Sequence, residues 1–112
     1  MVILGIDPGY AIVGYGAIEF ANGKYRDLGH GAIFTYPEQD FALRLEIIHD
    51  SMVKMLESCK PDVMSIEKLY FQNNQNTAIN VAEARGVILL AAKKAGVPIF
   101  EYTPLQVKTV VT

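Results

Sequence analysis

Val2-Ile3-Leu4-Gly5-Ile6-Asp7-Pro8-Gly9 opens on a compact apolar run and closes on turn residues. It reads as a buried central strand that stops at Asp7-Pro8-Gly9. Ile12 to Phe20 reads as a second strand, Asn22-Gly23 as a hairpin turn, and Lys24 to Thr35 as a third strand. Three consecutive strands joined by tight turns make an antiparallel meander.

The period then changes. From Asp40 onward, Phe41, Leu45, Ile48, Met52 and Met55/Leu56 recur at spacings of three and four, which predicts an amphipathic helix ending before Pro61. Asp62 to Glu67 is a short strand, Lys68 to Asn76 a polar loop, and Thr77 to Ala95 a long helix closed by Gly96. Val97 to Tyr102 is the last strand, and Pro104 opens a further helix at its favoured first position. The order is β-β-β-α-β-α-β-α, in which helical crossovers make the later strands parallel to the first. The expected fold class is α/β: a mixed five-stranded sheet flanked by helices, with ligands gathering at the carboxyl ends of its strands.

Composition fits this picture. The chain has 112 residues, 51% hydrophobic and 20% charged, as expected of one domain over residues 1–112; disorder calls for fewer apolar residues or more net charge. The longest apolar run, Val87 to Ala92, is far short of the ~20 residues that span a bilayer, so no membrane partner is expected. Cys59 is the only cysteine, which excludes an internal disulfide and fits a reducing cytoplasm. The net charge of -2 hides an asymmetry: residues 1–67 carry ten acids and five bases, residues 68–112 five bases and two acids. A basic second part could offer one cationic face to a nucleic acid.

Asp7 and Glu67 each follow an apolar β run directly. If their strands are neighbours, the two carboxylates lie side by side at one sheet edge, where they repel unless a proton or hard cation intervenes. Oxygens held on a rigid sheet suit Mg²⁺. Gly9, Gly14 and Gly16 lie close by, and glycine there lets a phosphate backbone approach, or simply permits a tight turn and close strand packing. A P-loop is excluded, because its Lys-Ser/Thr ending is absent. His30 and His49 lie apart with no metal spacing. Asn73 to Asn76 form a polar stretch that could touch DNA or be simply solvated.

The combination Gly5-Ile6-Asp7-Pro8-Gly9, Gly14-Tyr15-Gly16, Pro61 to Glu67, Ala84-Arg85-Gly86, Phe100-Glu101-Tyr102 and Gln106-Val107-Lys108 closely resembles the RuvC family, in order and along the whole chain. These are the bacterial crossover-junction endodeoxyribonucleases, or Holliday junction resolvases, with a ribonuclease-H-like fold. The resemblance implies a homodimer that binds a four-way DNA junction and nicks two strands symmetrically with Mg²⁺ or Mn²⁺, two ions per complete site, beside a branch-migration motor complex. It places Asp7 and Glu67 at two of the family's four catalytic, metal-binding acids. Tyr70 matches an aromatic that meets bases near the crossover, and stacking there is worth ~1–3 kcal/mol per base; Phe71 adjoins it. Lys108 matches a lysine near the scissile phosphate. Gly9 and Arg85 complete the candidate DNA contacts, Arg85 facing a phosphate, Glu83 or a partner subunit. An excess apolar face on the Thr77 to Ala95 helix could supply the dimer contact.

Two features depart from the family pattern. Tyr10 and Val13 stand where many members carry a small hydroxyl residue and a threonine, beside the expected metal site. The remaining acids of the family lie on a C-terminal helix beyond Thr112. A chain ending there is therefore expected to be the N-terminal two-thirds of a resolvase, deficient in cleavage and exposing an apolar face of its sheet. A junction-binding module without catalysis and a ribonuclease-H-like nuclease acting on RNA are the alternatives. Actin-like ATPases and sugar kinases, which also begin with a strand, an acid and a glycine turn, need more chain than this.

Overall fold

The structure is a computed structural model that describes residues 1–68 and 75–102, without the side chains of Gln75 and Asn76. Its elements run β1 (Val2–Asp7), β2 (Ile12–Ala21), β3 (Lys24–Phe34), α1 (Phe41–Cys59), β4 (Val63–Glu67), α2 (Gln75–Lys94) and β5 (Ile99–Tyr102). The expected order therefore holds through β5, with ends displaced by one or two residues. The helix expected from Pro104 lies outside the described residues, as do Tyr70, Phe71, Asn73, Asn74 and Lys108.

The five strands form one sheet in the order β3-β2-β1-β4-β5. The pairs β1–β2 and β2–β3 are antiparallel, while β1–β4 and β4–β5 are parallel. The hairpin turn follows from Asn22 and Gly23, with φ of 55° and 74°: both left-handed, as a type I′ turn demands. Asp40 starts α1 by accepting a hydrogen bond from Leu43 N at 3.3 Å. Lys60 ends the helix in the left-handed region at φ 46°, just before Pro61.

Alternation along the strands sorts residues between two faces. Leu4 and Ile6 of β1, Val13 of β2, and Met64 and Ile66 of β4 turn to the helix side and are fully buried, packed with Ile48 and Met52 of α1 and Ala84, Ile88 and Ala92 of α2. Each of the larger side chains contributes roughly 1.5–3 kcal/mol by leaving water. The other face carries Gly5 and Asp7, Ile12, Gly14 and Gly16, and Ser65, Glu67 and Phe100, by the pairings Gly5↔Gly16, Asp7↔Gly14, Gly5↔Ser65 and Ser65↔Phe100. Among the described residues no helix covers this face. Ile12 and Phe100 stand 55% and 60% exposed on it, the uncovered apolar surface expected from the sequence.

In α2 the buried stripe is Ala84, Ile88, Ala91 and Ala92, while Ile79 and Leu90 point outward as an excess apolar face of the kind expected of this helix. Three of these four are small alanines, Ile88 fills the space between them, and Ile79 and Leu90 are left on the outer surface. Val13, expected beside the acids, lies one residue out of phase with Gly14 and belongs to the core.

Candidate active site

The site is built by strand adjacency. β1 and β4 are parallel neighbours in a register that ends at Ile6↔Ile66, so Asp7 and Glu67 leave the same edge of the sheet from adjacent strands. Their carboxyls interact. Burial, followed by the charge of Asp7 and a side-chain hydrogen bond to it, pushes the Glu67 carboxyl above its ordinary value. Two carboxylates in contact repel each other, and a cation between them would relieve that repulsion. Oxygen-only donors on adjacent rigid strands fit a hard divalent cation such as Mg²⁺, which keeps several of its own waters and needs few protein ligands. Among the described residues no group of three or more His, Cys, Asp or Glu is gathered, so Asp7 and Glu67 are the acids available here.

Tyr102 is a neighbour that sequence reading quoted within a motif but gave no role. It pairs with Glu67 across β4–β5, and its phenol is raised above its usual value by burial, then by the charges of Glu67 and Asp7. Only the β4–β5 register reveals it.

The floor beside the acids is glycine. Gly14 faces Asp7, where an added Cβ would sit 3.5 Å from the Asp7 Cβ; Gly5 and Gly16 face each other on the same side. Gly9 has a separate reason to be glycine, because a Cβ there would collide with the Ile12 carbonyl oxygen. The turn after Asp7 thus closes too tightly for any side chain at this position.

Each acid's strand end is held from the helix layer by an arginine. Arg44 of α1 is buried and donates from Nε to Thr35 Oγ1 at 2.9 Å, while Thr35 donates to the Tyr10 carbonyl. The Arg44 guanidinium lies 4.9 Å from the Tyr10 ring centroid, and Tyr10 meets Phe41 edge-on at 6.0 Å. Tyr10 is thus part of a clamp on the turn after Asp7. Arg85 of α2 donates from Nε to the Glu67 carbonyl at 3.2 Å and pairs through Nη2 with Glu101 of β5. That partner is neither Glu83 nor any of the others read from the sequence.

The expected cationic face is not assembled among the described residues. Arg44 and Arg85 are engaged inside the fold, and the α2 crossover carries Lys93 and Lys94 to the end of the sheet opposite the acids. Lys68, next to Glu67, is exposed at the acidic edge. His30 is exposed, and His49 lies 3.1 Å from Asp50 on α1, consistent with their reading as non-ligands.

The sequence profile of the family described as Crossover junction endodeoxyribonuclease RuvC matches residues 3–112. This chain belongs to the RuvC family. It is 53% identical over 111 residues to the RuvC crossover junction endodeoxyribonuclease of Halothermothrix orenii, covering 99% of this chain and 67% of that protein. It is 51% identical to its counterpart in Brevibacillus brevis, covering all of this chain and 68% of that protein. Among solved structures, Thermus thermophilus RuvC in complex with a Holliday junction substrate superposes with a TM-score of 0.91 at 33% identity, covering all of this chain and 70% of that one. The sheet is accordingly the ribonuclease-H-like sheet of the RuvC family, and the chain spans about two thirds of the length of these relatives.

Proposed function

We propose that this chain carries the sheet edge at which a Holliday junction resolvase of the RuvC family hydrolyses DNA phosphodiesters in recombination and repair. The observation that carries the reading is the side-by-side placement of Asp7 and Glu67 over a glycine floor, in a chain so similar to crossover junction endodeoxyribonucleases. Asp7 and Glu67 hold Mg²⁺ or Mn²⁺, and their mutual repulsion makes the edge receptive to a cation. Bound there, a pair of such ions supplies an activated water and stabilisation of the leaving oxygen. The chain's own residues position: Gly14 and Gly16 leave room for the phosphodiester, Gly9 and the Arg44–Tyr10 clamp fix the turn that aims Asp7, and the β4 end aims Glu67.

Under the same reading Tyr70, with Phe71 beside it, stacks on unpaired bases at the crossover, and Lys108 meets the scissile phosphate. A homodimer brings two such edges to opposing strands, and the outward Ile79 and Leu90 of α2, with open Gly86 between them, offer the apolar contact for it. The working partners are four-way junction DNA and a branch-migration motor in the cytoplasm. No described helix is long and apolar enough to cross a membrane. Among the described residues two acids are few for two ions, so the 112-residue chain is expected to bind junctions and to cleave them poorly.

The test is an end-labelled four-way junction beside matched duplex, with Mg²⁺ or chelator, and Asp7→Asn as control. The expected result is junction-selective binding by the 112-residue chain, with paired metal-dependent nicks only from a polypeptide of family length. Equal binding to duplex, or nicking that survives Asp7→Asn, would refute the proposal.

A further inference from the structure

The Glu67 carbonyl is taken by Arg85, and the strand geometry explains why a side chain is needed there. Met64 N donates to Pro98 O and Lys68 N to Tyr102 O, so even-numbered residues of β4 turn their main-chain groups toward β5. Alternation turns residues 63, 65 and 67 toward β1. In the Ile3↔Val63, Gly5↔Ser65 register, the N–H next in line for the Glu67 carbonyl belongs to residue 8. Residue 8 is proline and has no N–H. The ladder therefore ends one bond short, on the residue whose carboxylate the site uses. Arg85 Nε supplies the missing donor, 3.2 Å from the Glu67 oxygen.

The guanidinium is itself held. Its side chain is only 13% exposed, and its Nη2 pairs with Glu101 on β5, so one planar fork ties α2, the end of β4 and β5 together. A residue meant for a DNA phosphate would keep its donors toward solvent; this one spends them inward.

We infer that Arg85 is a positioning residue: it replaces the ladder bond that Pro8 cannot make and, locked by Glu101, sets the direction in which Glu67 offers its carboxylate beside Asp7. The inference rests on the reading of Asp7 and Glu67 as metal ligands. It assigns Arg85 to the geometry of the acid pair in place of the DNA contact expected from the sequence.

The experiment follows Mn²⁺ binding to the 112-residue chain by paramagnetic broadening of the amide signals around Asp7 and Glu67, in the wild type, Asp7→Asn, Arg85→Gln, Arg85→Lys and Glu101→Gln. Junction affinity is measured on the same proteins in chelator. Groups that orient a metal's ligands typically change affinity 10–100-fold when removed. Arg85→Gln is expected to weaken Mn²⁺ about tenfold and Glu101→Gln about threefold. Arg85→Lys should fall between them, since one ammonium cannot reproduce the fork. Junction affinity in chelator should stay within twofold of wild type. Pro8→Ala in the Arg85→Gln background restores an N–H to the ladder and is expected to recover at least threefold of the lost Mn²⁺ affinity, an effect that general destabilisation would not produce.

Mn²⁺ affinity unchanged in both Arg85→Gln and Glu101→Gln, while Asp7→Asn abolishes the broadening, overturns the inference and leaves the metal reading standing. A fall in junction affinity with a shallower salt dependence in Arg85→Gln, without a change in Mn²⁺ binding, overturns it in favour of a phosphate contact. Failure of Pro8→Ala to recover any affinity overturns the ladder argument. Absence of broadening in the wild type overturns the metal reading, and the inference with it.

Discussion

The two faces of this sheet are made by the same strands, one residue out of step, and they are built for opposite purposes. On the helix side Leu4, Ile6, Val13, Met64 and Ile66 are sealed beneath α1 and α2. On the other side Gly5, Gly14 and Gly16 contribute almost no side chain, Ile12 and Phe100 stand open to water, and Asp7 and Glu67 press like charges together. The comparison teaches where the fold places its stability. One face is packed well enough to hold in place another that is poor in packing and strained in its electrostatics.

The largest expected effect tests the sealed face. Met64→Ala removes a fully buried side chain and is expected to cost about 2–5 kcal/mol in urea denaturation, whereas Phe100→Ser across the sheet should cost under about 1 kcal/mol. Similar losses at the two positions would break the contrast. Next comes the turn that leads away from the open face. Gly9→Ala forces a Cβ against the Ile12 carbonyl and is expected to cost about 1–3 kcal/mol, again read by denaturation.

Gly14→Ala sharpens the distinction, because here stability and function should part. Its Cβ meets only ordinary contact with Asp7, so the protein should gain about 0.5–1 kcal/mol from a stiffer strand while Mn²⁺ and junction DNA bind more weakly. Loss of stability there would mean that the glycine floor is a packing requirement.

The smallest effect is electrostatic. Glu67 holds its proton more tightly in the folded protein than an unfolded chain would, so its contribution to stability is fully present at low pH and is lost as pH rises through the raised folded value. Asp7→Asn removes the repulsion and should flatten that decline in chelator, by no more than about 1 kcal/mol given the solvent around the pair. A thermal melting series against pH checks the sign, and an increase in wild-type stability over the same range would contradict it. Divalent cation added to wild type should offset the decline by binding only the folded state.

Much of this architecture is legible from local patterns. Asn22-Gly23 dictates its hairpin by backbone conformation alone, and the three-and-four spacing from Phe41 to Leu56 dictates α1. Asp7 and Glu67 were readable as candidates because each ends an apolar run, but their pairing depended on β1 and β4 being neighbours, which the β1–β4 register supplies. What eluded the sequence was set by packing between distant elements. The buried stripe of α2 is three alanines and Ile88, so hydrophobicity alone did not say which apolar side chains of the helix, Ile79 and Leu90, would be left outside. Arg44 suggested no role and Arg85 read as a DNA contact, because nothing adjacent in the chain reveals that one ends against Tyr10 and Thr35 and the other beside the Glu67 carbonyl.

The β2–β3 hairpin changes register between Ala17 and Ile18, with Gly29 opposite at φ 123°. Beyond that break β2 still pairs with β1 as far as Val2↔Glu19, and the tip adds a small cluster of its own: Phe20 and Tyr25 with ring centroids 4.7 Å apart, Arg26 and Glu19 at 2.9 Å, and the terminal amine of Met1 on the Phe20 carbonyl. A ladder interrupted in this way comes apart in two stages. The amides from Glu19 to Arg26 should exchange their hydrogens through brief openings of the tip, while those of Val13 and Ile33 wait for the whole protein to unfold. The hairpin tip is then the segment where an added label or a short insertion is best tolerated, because its opening leaves the acid-bearing edge undisturbed.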